Sequence, residues 1–273
     1  MKENFEQNNN ISTPERLRTA VDKAMDLLVN TFNVEGKEEL VNFIENNPDT
    51  KFIIASSHFS NLDAPAAVKA LGDKLNIQIT TESVLFGLTP QMVMFKVAGE
   101  ENFSPLEYKK EGKQKSGVFN PDDFDNLSKL MENNKTPWIA IHPFNTKEAM
   151  TDARIGSVYL AHKTGAKIIP TALELKGGSV SLEGIKEFTK GFLSKLKGKT
   201  EATFHIGDIM DVPDIDVSII DEVLRKRANG EKISPEERDK FKQVMTVLRN
   251  EASILAGQIA HMLPEENRGV YSS

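Results

Sequence analysis

The sequence predicts an α/β fold: a mixed, largely parallel sheet flanked by helices, with an N-terminal helical cap and a long C-terminal helix. Three patterns predict it. Between residues 51 and 206, short apolar runs of strand length alternate with segments of helical period, the order that produces parallel strands joined by crossing helices. Ahead of that stretch, Ser12-Thr13-Pro14-Glu15 carries a helix-start signature, with a side-chain oxygen to accept from orphan donors and proline in the first turn. Behind it, Ser234-Pro235-Glu236-Glu237 has the form of a capping box and heads a long apolar stripe. The chain divides on this reading into a helical cap, 1–50, and an α/β domain, 51–273.

Taken in order, Val21, Met25, Leu28 and Phe32 recur at helical spacing, and Gly36 breaks that helix before a second one through Leu40, Val41 and Ile44. The apolar stripe of this cap is read as facing the core. Strands are expected over 52–55, 77–80, 137–141, 167–173 and 202–206, with a further short one over 180–182 after a Gly177-Gly178 turn. Helices are expected over 63–71, 124–131 and 155–163. The final helix is marked by Phe241, Met245, Leu248, Ala252, Leu255 and Ile259.

The composition excludes several classes of function. The 273 residues carry a formal net charge of −6, which offers no basic face to replace the counterions of nucleic acid. There is no cysteine, hence no disulfide framework, no thiolate metal site and no cysteine nucleophile, and a cytoplasmic setting fits. Residues 1–10 are polar, and no apolar run approaches the ~20 residues of a membrane helix. None of the five histidines stands at i, i+4 from another, so no metal site is expected.

One constellation carries chemistry. His58-Phe59-Ser60-Asn61-Leu62-Asp63 puts a histidine just past a strand and a carboxylate in the first turn of the next helix. Ligands of open α/β sheets bind at that edge. A carboxylate accepting from one ring nitrogen fixes the tautomer and leaves the other to accept a hydroxyl proton. The plainer alternative is that Asp63 caps its helix while His58 is satisfied by backbone. A serine nucleophile among Ser56, Ser57 and Ser60 ranks last, because no Gly-x-Ser-x-Gly elbow occurs in the chain.

Ala55-Ser56-Ser57-His58-Phe59-Ser60-Asn61-Leu62-Asp63-Ala64-Pro65 resembles the His-x4-Asp block of the glycerolipid acyltransferases, the family of glycerol-3-phosphate and 1-acylglycerol-3-phosphate acyltransferases. Three further segments follow in that family's order. Gly99 to Phe103 sits where its substrate-binding block is expected; Trp138-Ile139-Ala140-Ile141-His142-Pro143-Phe144-Asn145-Thr146-Lys147 resembles the strand and loop of its Phe-Pro-Glu-Gly-Thr-Arg block; and Arg154-Ile155-Gly156 through Gly165-Ala166-Lys167-Ile168-Ile169-Pro170 resembles its last helix and strand. The chain departs from the pattern at Ser57 (asparagine), Phe144 (glutamate) and Asn145 (glycine), and has no arginine near Phe103. The helical region ahead of the motif and the altered third block make the chain similar to the soluble plastid-type glycerol-3-phosphate acyltransferases.

The resemblance implies an enzyme of phospholipid biosynthesis without a bound cofactor, with acyl-CoA or acyl carrier protein as co-substrate. His58 is then the general base oriented by Asp63. The acceptor phosphate falls to the loop residues Asn145, Thr146 and Lys147, with Arg154 beside them, and Lys109, Lys110 and Lys113 as weaker candidates. His142, after a buried strand, either joins the substrate-binding set or, the plainer reading, is a packed, hydrogen-bonded histidine. Loss of catalysis on the same fold would leave a lipid- or acyl-carrier-binding module, the reading that Phe144 motivates. Finally, Lys186, Lys190, Lys195, Lys197 and Lys199 surround Phe188, Phe192, Leu193 and Leu196. That stretch reads either as a plain basic loop or as a surface for acyl carrier protein or for peripheral contact with the inner face of a membrane.

Overall fold

The computed structural model of the chain describes residues 12–81, 98–106, 108–111, 114–142, 149–177, 196, 198 and 200–272. In chain order the elements are α1 (Glu15–Leu28), β1 (Thr31–Glu35), α2 (Lys37–Asn46), β2 (Phe52–Ser56), α3 (Asp63–Leu71), β3 (Ile77–Thr81), β4 (Phe103–Pro105), β5 (Tyr108–Glu111), β6 (Gln114–Phe119), α4 (Pro121–Glu132), β7 (Thr136–Ala140), α5 (Gly156–Thr164), β8 (Lys167–Lys176), β9 (Glu201–Ile206), α6 (Ser218–Ala228) and α7 (Pro235–His261). Among them lies a seven-stranded sheet in the order β1-β9-β8-β2-β7-β3-β4, with β5 and β6 paired as a separate antiparallel ribbon. Every pair in the larger sheet is parallel except β8 with β9. The α/β class with a mixed, mostly parallel sheet is therefore as expected.

Helices cover both faces. On one, α4, α5, α6 and α7 set Phe124, Leu127, Tyr159, Ile220, Leu248, Leu255 and Ile259 against Ile53, Ala55, Ile139 and Ile168 of the sheet. On the other, α1 and α3 set Leu17, Val21, Met25, Val68 and Leu71 against Phe52, Ile54, Trp138 and Phe204. Strand β2 stands at the centre of the order, and all five of its residues are buried. That is why it reads as an unbroken apolar run rather than an alternating one.

Several expectations need correction. Phe32 is not the end of a helical stripe but lies in β1, which pairs with β9 in the register Phe32↔Ala202. Leu28 and Phe32 stand at i, i+4, so the helical period ran on through a short strand whose own alternation, Phe32 and Val34 turned inward, was hidden by it. The expected cap on α1 is also absent. Pro14 opens the helix, and the buried Thr13 hydroxyl instead donates to the Leu75 carbonyl at 2.6 Å and accepts from the Ile77 N–H at 2.9 Å, tying the N-terminal segment to β3. The capping box on α7 is present in both halves, Glu237 N–H to Ser234 Oγ at 3.1 Å and Ser234 N–H to Glu237 Oε2 at 2.8 Å. α6, β4 and the β5–β6 ribbon had no counterpart among the expected elements. The expected strand over 180–182 and the lysines from Lys186 to Lys199 lie outside the described residues. Among the described residues no helix is long and apolar enough to cross a membrane.

Candidate active site

β2 and β7 are neighbours, with Ser56 opposite Ala140 at their carboxyl ends. The chain leaving β2 continues into α3 on one face of the sheet, and the chain leaving β7 leads to α5 on the other. Adjacent strands whose connections part to opposite faces open a crevice between them, the usual ligand position in such sheets. His58 and His142 are the second residues past the two strand ends.

Asp63 is the first residue of α3, and no side chain caps that helix. Its carboxylate folds back over the loop, where Oδ2 accepts from the Ser60 N–H at 2.8 Å and faces His58 Nδ1 at 3.1 Å. The carboxylate is completely buried, whereas the imidazole keeps 22% of its surface open. Of the two sequence readings the helix cap is the one the geometry lacks: the same oxygen meets the Ser60 N–H in the loop ahead of α3 and the histidine, and neither contact caps the helix. Burial pushes the Asp63 carboxyl above its ordinary range, and the His58 contact and the backbone donors of Ser60 and Phe59 pull it back down. When Nδ1–H donates to Asp63, Nε2 of His58 keeps its lone pair for a proton from a ligand.

Of the other residues expected at the site, His142 is buried, and its Nε2 accepts the backbone N–H of His58 at 3.2 Å. Its ring lies over Phe59, centroids 5.0 Å apart. Arg154 is partly exposed and is tied to the same place through its backbone, its N–H donating to the Ile141 carbonyl at 2.6 Å. Asn145, Thr146 and Lys147 lie outside the described residues, as does Lys113; Lys109 and Lys110 belong to β5. Ser56 and Ser57 are fully buried, and the Ser60 hydroxyl accepts the Leu62 N–H at 3.1 Å. His162 on α5 bonds Glu251 at 2.6 Å, and His205 on β9 bridges Glu35 and Glu174, so both act as structural links. Among the described residues no group of three or more side chains could hold a metal ion.

Trp138 was not foreseen at the site. It enters as an apolar residue of β7, and its ring meets the His58 imidazole edge-on, centroids 5.7 Å apart. Its place depends on the β2–β7 register, which the sequence does not display; the one available sign was a tryptophan in a strand already matched to a family block.

No family model matches the chain, and no curated protein matches it. Among solved structures, it is similar to that of the 1-acyl-sn-glycerophosphate (LPA) acyltransferase PlsC from Thermotoga maritima, at 14% identity and a TM-score of 0.47, over 88% of this chain and 78% of that one. The assignment to the α/β class rests on the strand order of the chain itself.

Proposed function

We propose that the chain is an O-acyltransferase that moves a fatty acyl group from the thioester of acyl-CoA or acyl carrier protein to a hydroxyl of glycerol-3-phosphate or a lysophospholipid. The observation that carries the proposal is the contact of His58 Nδ1 with the buried Asp63 carboxylate, 3.1 Å, beside a crevice at the carboxyl ends of β2 and β7. The four segments that resemble the glycerolipid acyltransferases, in the same order, add the reaction class.

In this reading Nε2 of His58 takes the proton of the acceptor hydroxyl as its oxygen attacks the thioester carbonyl. The new C–O bond forms, the C–S bond breaks, and the proton passes to the departing sulfur, so no acyl-enzyme is needed. A positioned base of this kind contributes about 10²–10⁴ in rate. Lys147 and Arg154, with Asn145 and Thr146, are proposed to bind the acceptor phosphate. His142 is left out of that set because its Nε2 is already engaged by the protein.

Transfer of labelled acyl groups from each donor to each acceptor, with unchanged protein and with His58→Ala, tests the proposal. Transfer that falls by about 10²-fold or more in the variant supports it. Folded protein that transfers nothing from any pair, yet binds lipid vesicles or acyl carrier protein, would replace it with a binding module. Thioester hydrolysis that is indifferent to acceptor would point to water as the nucleophile's source.

A further inference from the structure

The His58 backbone is held by a side chain where a sheet carbonyl is expected. With Ser56 opposite Ala140, the parallel ladder continues past β7 with the Ile141 N–H donating to the Ser56 carbonyl at 3.0 Å. The next donor of β2 that turns toward β7 is the His58 N–H, and its regular acceptor is the Ile141 carbonyl. That carbonyl accepts from the Arg154 N–H instead, at 2.6 Å. The His58 N–H goes to Nε2 of His142 at 3.2 Å. On the opposite side the ladder is regular, with the Ser57 N–H donating to the Thr171 carbonyl at 3.3 Å.

We infer that His142 is a positioning residue for His58: a neutral imidazole protonated on Nδ1, whose Nε2 replaces the sheet carbonyl and fixes the main chain on which the proposed base is mounted. The tautomer follows from the bond, because a nitrogen that accepts a hydrogen bond carries no proton. The orientation follows from burial and from Phe59, whose ring packs over His142 at 5.0 Å and whose backbone is the next link after His58. One imidazole therefore touches the backbone of the base and the side chain beside it. With the Ile141 carbonyl given to Arg154, the bond to His142 keeps this sheet donor of β2 paired. His142 does not itself meet the reacting atoms; it acts through the placement of His58, and displacement of a catalytic group by about 1 Å costs on the order of a hundredfold.

The consequence for transfer rests on the acyltransferase reading, but the hydrogen bond does not, and the test separates them. Nitrogen-15 NMR of the full chain reads the His142 tautomer and the amide resonance of His58 in the unchanged protein, in His142→Gln, whose side-chain oxygen can occupy the place of Nε2, and in His142→Phe, which keeps the ring shape without an acceptor. The unchanged protein is expected to show His142 protonated on Nδ1 alone. In His142→Phe the His58 amide should move and kcat fall about tenfold or more with KM within about twofold; His142→Gln should restore most of both. A His142 that carries its proton on Nε2 overturns the inference. So does a folded His142→Phe with the His58 amide unmoved. If His142→Phe fails to fold, the tautomer and the glutamine variant decide. If the unchanged protein transfers nothing while the NMR results are as expected, the proposed reaction fails and the positioning of His58 stands.

Discussion

Trp138, the one tryptophan of the chain, meets His58 edge-on with ring centroids 5.7 Å apart and planes inclined at 79°. The tryptophan is buried in the sheet, while the imidazole is partly open to solvent. An imidazole edge against the chain's single indole makes that indole a reporter of the place of His58. At one fixed pH, His58→Ala should change the intensity or the emission maximum of the intrinsic tryptophan fluorescence while the far-UV circular dichroism stays the same. An emission spectrum identical to that of the unchanged protein would contradict the contact.

Asp63→Asn separates the chemical role of the carboxylate from its cost to the fold. Burial raises the Asp63 carboxyl above 3.8, so the folded state holds its proton more readily than the unfolded chain. The stability linked to this group is therefore fully present below the unfolded value and is lost as pH rises through the folded one. Asparagine is neutral throughout and can still accept from Ser60. Its Tm should exceed that of the unchanged protein near pH 8, by about 2–4 °C per kcal/mol of burial cost relieved, and the gap should close toward pH 4. In the same variant the amide oxygen that stays on the Ser60 N–H is also the atom that faces His58, so the negative charge that stabilises the imidazolium formed as the hydroxyl proton is taken is gone, and acyl transfer should drop by about 10²-fold or more. A gap that widens as the solution is acidified would contradict this account.

Gly36→Ala should destabilise the fold more than Gly165→Ala. Both glycines adopt left-handed backbone, φ +77° and +67°. At Gly36 an added Cβ would stand 2.3 Å from the Ile206 carbonyl oxygen at the end of β9, whereas at Gly165 it would meet nothing within 4 Å. Conformation alone costs about 1 kcal/mol, and a backbone clash adds to it. Thermal unfolding should show roughly 2–4 °C lost at Gly165 and about twice that or more at Gly36. Equal losses would mean that the β1–β9 end yields freely.

Tyr271→Phe should loosen the segment that carries Arg154. The Tyr271 hydroxyl oxygen accepts the Ala153 N–H at 3.2 Å, and the same tail holds Met150 through the Asn267 carbonyl at 3.0 Å. Loss of one such bond costs about 0.5–1.5 kcal/mol. Hydrogen exchange at Ala153 should speed up while exchange in α7 stays the same. Unchanged protection at Ala153 would show that the hydroxyl adds nothing to the hold.

What was legible in the sequence follows from what is local. His58 and Asp63 lie within one hexapeptide, so strand, loop and helix start were enough to bring them together. Central strands such as β2 announce themselves as apolar runs because both faces are covered. The contacts of His58 with Trp138 and His142 span 80 and 84 positions, and each follows from the pairing of Ser56 with Ala140. A shift of one residue would turn Trp138 to the other face. α4 begins three residues before the expected 124, with Asn120 accepting from the Asp122 N–H and Pro121 in the first turn; these are sequence-level cues that the apolar stripe alone did not include.

The outermost strand pair has a consequence for how the molecule is made. Thr31 of β1 lines up with Glu201 of β9, at opposite ends of a long stretch of chain. A ribosome delivers β1 and must then synthesise residues 36–200 before β9, the neighbour of β1 among the described strands, emerges. Throughout that interval Phe32 and Val34 have no strand beside them, and Phe204, which belongs to the same core, has not yet been made. Closure of that edge thus waits for residues 201–205, and chains released before them would carry a β1 without β9 beside it, which other nascent chains can capture.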